Sequence, residues 1–433
     1  MTRTQLLKGD KKLLNAWAFY DWANSVYSLT IVSAVFPIFY GVLFEKGETI
    51  TLGEFQIRST PLINYATAIG FIIVAIFSPI LSGIADYIGN KKFFMRCFNY
   101  IGALCCIGLF WFSKEHIYIS LAFYVFALVG FWGSIVFYNS YLPDIAFPEQ
   151  QDKISAKGYS LGYLGSVLLL VLNLVMVMYP SVFGFENAII GMKYSFVLVG
   201  VWWIGFSQYS YYYLPKGNTG HKVTKRIIFK GFKELRQVWR AMGNNIRLKR
   251  YLIAFFVYSM AVQTVMLVAT YFGEQEVNWG DTDEKTMGLT VSILIIQLVA
   301  IFGAFLTSRA SSRFGNIPTL LIINCIWVGI CVYAFFIYEP IQFYATAGIV
   351  GLVMGGIQAL SRSTYSKFLP STEDTTSYFS FYDVAEKIGI VIGMAIYATV
   401  DLITGSMRNA TLFLVVFFIA GILLLFRVPK YKE

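Results

Sequence analysis

Asp21 stands in the first long apolar stretch of the chain, where a charged side chain is uncommon. On a helix, Asn24 and Ser28 follow it at i+3 and i+7, so the three polar side chains share one face. A carboxylate in an apolar setting can bind a cationic group or carry a proton, because burial disfavours its charged form. The alternative is a structural carboxylate that caps a helix or pairs with a nearby Lys or Arg. The sequence leaves both roles open.

Later apolar stretches also contain polar side chains. Gln358 and Arg362 are one helical turn apart, and a guanidinium can bind a carboxylate through two nitrogens. A gate or a lipid-facing position near the helix end is the alternative for Arg362. Asn139, Tyr258 and Gln263 extend the set, although a single Asn or Gln serves as often in an interhelical hydrogen bond. Together these side chains predict a polar site for a small solute.

The eleventh apolar stretch, residues 388–400, is too short to cross a membrane without charged neighbours. We expect Asp383, Glu386 and Lys387 at the start of its helix and Asp401 near its end. Glu386 and Lys387 are then candidates for a cytoplasmic gate, and an ordinary interfacial helix start is the alternative.

Twelve apolar stretches position these residues, and most match the ~30 Å of hydrocarbon that a helix crosses at ~1.5 Å per residue. Only 13% of the residues are charged, against ~25% in soluble proteins. Lipid offers backbone groups no hydrogen-bond partner, and the ten-residue alternation of a β-barrel is missing from the sequence. The sequence therefore predicts an all-α integral membrane protein with twelve transmembrane helices.

The basic residues predict the orientation, because Lys and Arg near span ends stay on the cytoplasmic side. With the N-terminus inside, the outer segments hold few of the 34 basic residues, namely Lys46, Arg58, Lys114, Lys193, Lys285 and Arg408. Both termini are therefore expected in the cytoplasm, and the net charge of +10 reflects topology rather than nucleic-acid binding.

A basic segment over residues 216–250 divides the chain into two predicted six-helix bundles, residues 1–215 and 251–433. Within it Ile228, Phe232, Leu235 and Trp239 recur at helical spacing among basic residues. This pattern is typical of an amphipathic helix on the anionic inner leaflet. A solvated linker whose charge only fixes topology is the equal alternative.

Two pairs of short strings indicate that the halves are duplicated, because they recur at nearly the same offset. The string Tyr138–Pro143 is similar to Tyr365–Pro370, and Ser82–Asn90 is similar to Ser308–Asn316. A duplicated six-helix unit is typical of transporters that alternate between two states.

The segment after the second span resembles the loop motif G-x-x-x-D-R-x-G-R-K of the major facilitator superfamily. Asp86, Gly89 and Lys91 match it, and Lys92 adds a charge one residue later. The resemblance implies a cytoplasmic latch, in which Asp86 accepts hydrogen bonds and Gly89 allows a tight turn. Three motif positions differ: Ser82, Tyr87 and Asn90.

Longer strings resemble the bacterial relatives of the vacuolar amino-acid effluxers linked to autophagy. They are Tyr20–Ser25, Asn139–Pro143, Ser155–Tyr163 and Gly355–Ser363. The resemblance implies that amino acids or short peptides are the solutes and that helices 1, 4, 7 and 10 face the cavity. Tyr20 joins the candidate site through this string. In helix 7, residues 258–263 depart from the Tyr-Asn-Asp-Gly pattern expected of relatives.

We therefore expect a secondary transporter that uses alternating access, with protons as an optional coupling ion. A channel, a lipid scramblase, a receptor on a transporter frame and a carrier of sugars or nucleosides are the alternatives. An enzyme is not expected, since His116 and His221 are the two histidines and no hydrolase or nucleotide motif occurs. No cofactor, metal or catalytic residue is expected. We expect a monomer in the bacterial inner membrane, in contact with lipids.

Overall fold

The computed structural model describes residues 6–44, 48–52, 55–217, 227–280 and 282–429. Within them, twelve helices are long and apolar enough to cross a membrane, which confirms the predicted number of spans. The helical form follows from composition, because only a helix satisfies the backbone of one apolar segment without water. Part of the predicted linker, residues 218–226, lies outside the described residues.

The chain forms two compact units that do not strictly follow its order. Unit 1 comprises Met1–Tyr141 and Leu164–Leu235, and unit 2 comprises Leu142–Tyr163 and Arg236–Glu433. The fifth spanning helix therefore begins in unit 2 and ends in unit 1.

Unit 1 holds the first four spans, the second half of the fifth, and the sixth. Its elements are α1 (Lys11–Tyr27), α2 (Val35–Leu43), β1 (Thr49–Leu52), β2 (Phe55–Arg58), α3 (Ser59–Ile88), α4 (Lys91–Gly108), α5 (Ile117–Ser140), the later part of α7 (Pro148–Met178) and α8 (Ala188–Tyr213). The strands pair antiparallel with Thr49 opposite Arg58, a hairpin that the all-α prediction did not include. It lies between two spans, where backbone groups can pair outside helices.

A π-helical segment, Ser28–Ala34, joins α1 to α2 within the first span. Val35 N–H donates to the Thr30 carbonyl five residues earlier. Pro37 follows closely, and a proline lacks an N–H and collides with the carbonyl four residues before it. The wider turn lets the first span continue past Pro37 with a local irregularity.

Unit 2 contains the remaining spans and the start of α7. Its elements are α6 (Leu142–Ile145), α10 (Ile246–Glu276), α11 (Thr282–Phe314), α12 (Asn316–Ala334), α13 (Pro340–Phe368), α14 (Thr375–Thr404), α15 (Met407–Phe413) and α16 (Val415–Phe426). The α9 helix (Ile227–Asn244) occupies the predicted linker. It exposes Phe229, Phe232 and Trp239, while Val238 and Met242 are buried.

Small residues allow α11 and α13 to pack closely in unit 2. A Cβ atom on Gly355 would overlap the Ala300 carbonyl, and one on Gly356 would overlap the Thr307 side chain. Helices in lipid associate largely through such close contacts, because lipid tails are as apolar as the helix surfaces.

We predict that Gly355→Ala destabilises the protein by about 1–3 kcal/mol, because the added methyl group has no space at the Ala300 backbone. Gly329→Ala is the matched control: a Cβ there meets nothing within 4 Å, and alanine favours a helix by ~1 kcal/mol over glycine. Thermal unfolding of both purified variants in detergent measures the difference. Equal midpoints would contradict the close packing.

Candidate functional site

Unit 2 contains a partly open cavity between α10, α13, α14 and the start of α7. Its polar lining includes three residues predicted for the site, Tyr258, Gln263 and Gln358. Glu386, predicted for a gate, also lines it. Aromatic rings of Tyr159, Phe255 and Tyr382 complete much of the remaining wall.

Hydrogen bonds fix the polar wall. The Tyr258 hydroxyl lies 2.7 Å from Ser361 Oγ and 3.2 Å from the Tyr251 hydroxyl. Tyr163 donates to Gln358 Oε1 at 2.6 Å, which orients the Gln358 amide. The phenols and the amide are therefore held in place before any solute binds, which lowers the entropic cost of recognition.

Three charged side chains form a triad along α14. Lys387 Nζ donates to Asp383 Oδ1 at 2.8 Å and to Glu386 Oε2 at 2.9 Å. The other Glu386 oxygen, Oε1, accepts from Gln263 Nε2 at 2.7 Å. Asp383 and Lys387 are almost fully buried, and Glu386 is 18% exposed. The triad thus reaches the cavity through Glu386.

The expectation that Asp383, Glu386 and Lys387 stand at the start of their helix is wrong. Helix α14 begins at Thr375, so at ~1.5 Å per residue Lys387 lies about 18 Å along it. The span was bounded at its charged residues, although Tyr378, Phe381, Tyr382 and Ala385 recur at helical spacing before residue 388. Recruitment of charged residues by the short eleventh span is confirmed, and Asp401 also belongs to this helix.

Arg362 does not line the cavity. Its Nε donates to Ser155 Oγ at 3.0 Å and its Nη2 donates to the Ser155 carbonyl at 3.1 Å. The guanidinium also stacks 4.2 Å from the centre of the Tyr159 ring. The side chain is buried, and the donors expected to bind a carboxylate hold α7 against α13 instead.

Sequence reasoning missed a second polar cluster, centred on Asp152 of α7. Its Oδ2 accepts from Lys367 Nζ at 2.7 Å and from Ser311 Oγ at 2.9 Å. Its Oδ1 accepts from Asn316 Nδ2 at 3.0 Å. Lys367, Ser311 and Asn316 all lie in the two repeated strings of the second half, which was the available signal.

In unit 1, Asp21 is buried and accepts a hydrogen bond from the Tyr138 hydroxyl at 2.8 Å. The Tyr20 hydroxyl accepts from Asn99 Nδ2 at 3.4 Å, and its ring lies 4.9 Å from that of Tyr138. Tyr138 was missed, although it begins one of the repeated strings. This arrangement surrounds the Asp21 carboxylate with aromatic side chains.

The other polar residues predicted in unit 1 are also mostly buried. Asn24 is 1% exposed, and its Nδ2 has no hydrogen-bond partner in the described part of the chain. Ser28 Oγ donates to the Ser25 carbonyl at 2.9 Å, within its own helix. Asn139 is buried near the end of α5. Of these side chains, Asn24 thus keeps an amide nitrogen available to a further acceptor.

The residues of the loop motif hold helix ends in unit 1. Gly89 ends α3 with a left-handed backbone at φ 73°, as a tight turn requires. Lys91 Nζ donates to the Ser140 carbonyl at 3.1 Å, and Lys92 Nζ donates to the Leu214 carbonyl at 2.6 Å. Asp86 is buried before the turn. The two lysines thus cap the carboxyl ends of α5 and α8, where helix dipoles favour cations.

The twelve helices and the polar cavity define a transporter of the major facilitator superfamily. A crystal structure of the E. coli fucose:proton symporter FucP superposes with a TM-score of 0.69 over 97% of this chain and 98% of that chain. The two sequences are 13% identical, so this likeness shows the fold.

The chain belongs to the family described as "Vacuole effluxer Atg22 like", whose sequence model matches residues 9–433. It is 30% identical to the MFS-type transporter YxiO of Bacillus subtilis (strain 168), over 98% of this chain and 96% of that protein. It is 23% identical to Autophagy-related protein 22-2 of Neosartorya fischeri, over 87% and 75%. The resemblance read from the sequence is confirmed, and the bacterial relative is named as a transporter, not an enzyme.

We predict that Lys367→Met destabilises the protein by about 1–3 kcal/mol, because it removes the charge partner of the buried Asp152 carboxylate. Adding Asp152→Asn should restore part of that loss, since the amide carries no charge. Lys153→Met, at the exposed neighbouring position, is the control and should leave stability unchanged. Thermal unfolding of the wild-type protein and the three variants checks this, and a destabilisation by Lys367→Met no larger than that by Lys153→Met would refute the pairing.

Proposed function

We propose that this transporter is a secondary active carrier of a small polar solute, an amino acid or short peptide, that works by alternating access and couples to protons. The observation that carries the proposal is the Glu386 carboxylate in a small cavity otherwise lined by amides, hydroxyls and aromatic rings. A carboxylate at such a wall favours a solute that carries an ammonium group.

The same wall offers partners for both ends of a zwitterion. The solute ammonium would donate to Glu386, and its carboxylate would accept from the Gln358 amide or from the Tyr258 and Ser361 hydroxyls.

A sugar or nucleoside is the second candidate. Amide groups beside the rings of Tyr159 and Phe255 also suit a neutral solute rich in hydroxyl groups. The related fold of the fucose:proton symporter supports this alternative. A neutral solute would not require the charge on Glu386, so that residue separates the two candidates.

We predict that proteoliposomes with the wild-type protein show counterflow of a radiolabelled amino acid and that Glu386→Gln reduces it at least ~10-fold. The reason is the loss of a charge-assisted hydrogen bond worth about 1.5–3 kcal/mol. Glu373→Gln changes the same group at an exposed position near α14 and should leave counterflow intact. Undiminished counterflow in Glu386→Gln, or counterflow of sugars or nucleosides alone, would argue against an amino-acid carrier.

We also propose roles for the residues that the sequence assigned to a gate and to coupling. Asp86, Gly89, Lys91 and Lys92 would form the cytoplasmic latch. Asp21 would bind a cationic group or a proton near the Tyr138 hydroxyl. In unit 2, the contacts of Asp152 and Arg362 anchor the start of α7, and their release would accompany transport.

The basic residues support a placement in the bacterial inner membrane with both termini in the cytoplasm. The α9 helix would then lie on the inner leaflet. It exposes the rings of Phe229, Phe232 and Trp239 beside exposed Lys233 and Arg236, a combination that suits anionic lipid.

Cysteine labelling tests this orientation. In a cysteine-free background we expect a membrane-impermeant maleimide to label Glu115→Cys in intact cells but to leave Lys153→Cys unlabelled until the cells are opened. Both positions are exposed, so accessibility of the residue itself is matched. The reverse pattern would invert the topology.

A further inference from the structure

The α14 triad contains two acids and one base in a site that is largely shielded from solvent. Asp383 is 3% exposed and Lys387 is 2% exposed. The Lys387 ammonium bonds to both carboxylates, with its charge shared between them. With all three groups ionised, the site has a net charge of −1 inside a membrane-spanning helix, which is costly without a further cation.

The hydrogen bonds of Asp383 show where the excess negative charge lies. Its Oδ1 accepts from Lys387, whereas its Oδ2 is buried and has no hydrogen-bond partner among the described residues. Buried carboxylate oxygens are normally hydrogen-bonded, because the charge loses its hydration. Both oxygens of Glu386, by contrast, accept hydrogen bonds, Oε1 from Gln263 and Oε2 from Lys387. The unsatisfied charge is thus on Asp383.

Among the described residues, the titratable groups that face the triad from other elements carry no positive charge. From α10 they are Tyr251 and Tyr258, from α7 Tyr159, and from α13 Tyr365, which packs against Tyr382 beside Asp383. These phenols are neutral at physiological pH.

We infer that Asp383 is a proton-binding group, that its Oδ2 accepts one proton from the cavity, and that Asp383, Glu386 and Lys387 together form a coupling site of this carrier. The proton neutralises Asp383, and Lys387 then neutralises Glu386, so the site has no net charge. The role in coupling rests on the proposed carrier function, whereas proton binding does not. The triad belongs to unit 2, whereas Asp21 belongs to unit 1.

Infrared difference spectroscopy of the purified full-length protein between alkaline and acidic buffer tests proton binding without any solute. Wild-type protein should show a carbonyl band of a protonated buried carboxylic acid. Asp383→Asn should lose this band. Glu386→Gln should also lose it, because Lys387 then neutralises Asp383 alone. Glu373→Gln, at an exposed position, is the matched control and should retain the band.

A wild-type spectrum without the band, or a band that persists in Asp383→Asn or in Glu386→Gln, would overturn the inference. If Asp383→Asn does not fold, Glu386→Gln still tests the site, because it leaves the Asp383–Lys387 pair in place and should lose the band. Counterflow failure with an intact infrared result would reject the amino-acid carrier and leave the proton site standing. Counterflow by a protein without the band would reject the proton site and leave the amino-acid carrier standing.

Discussion

A side chain that carries charge within an apolar span must find its partner inside the protein, because hydrocarbon provides none. This requirement organises unit 2. Lys387 forms ion pairs with two carboxylates, and Lys367 forms one with Asp152. Arg362 donates hydrogen bonds to Ser155 and stacks on the face of the Tyr159 ring. Each of these contacts also joins helices or fixes a helix face, so the polar residues help to define the packing of the apolar ones.

The polar groups that line the cavity also find their hydrogen-bond partners inside the protein. Gln263 donates a hydrogen bond to Glu386, and Tyr163 donates one to Gln358. These bonds keep the polar wall in a fixed geometry beside the aromatic rings. Close contacts between α11 and α13 at Gly355 and Gly356 bring the helix that carries Gln358 into position. The geometry of the polar site therefore depends on the close packing at these two glycines as well as on the polar side chains.

Much of the architecture could be predicted from the sequence, because span length and the need for internal backbone hydrogen bonds leave few choices. The turn at Gly89 followed from its motif. The triad was misplaced because its charged residues were taken as the end of the apolar span, although Tyr378, Phe381 and Tyr382 recur at helical spacing after the helix start at Thr375. The Asp152–Lys367 pair was missed because its members are 215 residues apart, and the sequence gives no rule for pairing such distant charges.

The division of α7 between the two units bears on how the chain could be cut. Residues 142–163 precede the basic linker in sequence but belong to unit 2, where Ser155 binds Arg362 and Asp152 binds Lys367. A fragment that starts at the linker would leave both cations without these partners. If the two halves of this protein were co-expressed, unit 2 would be complete only when the first half supplied residues 142–163.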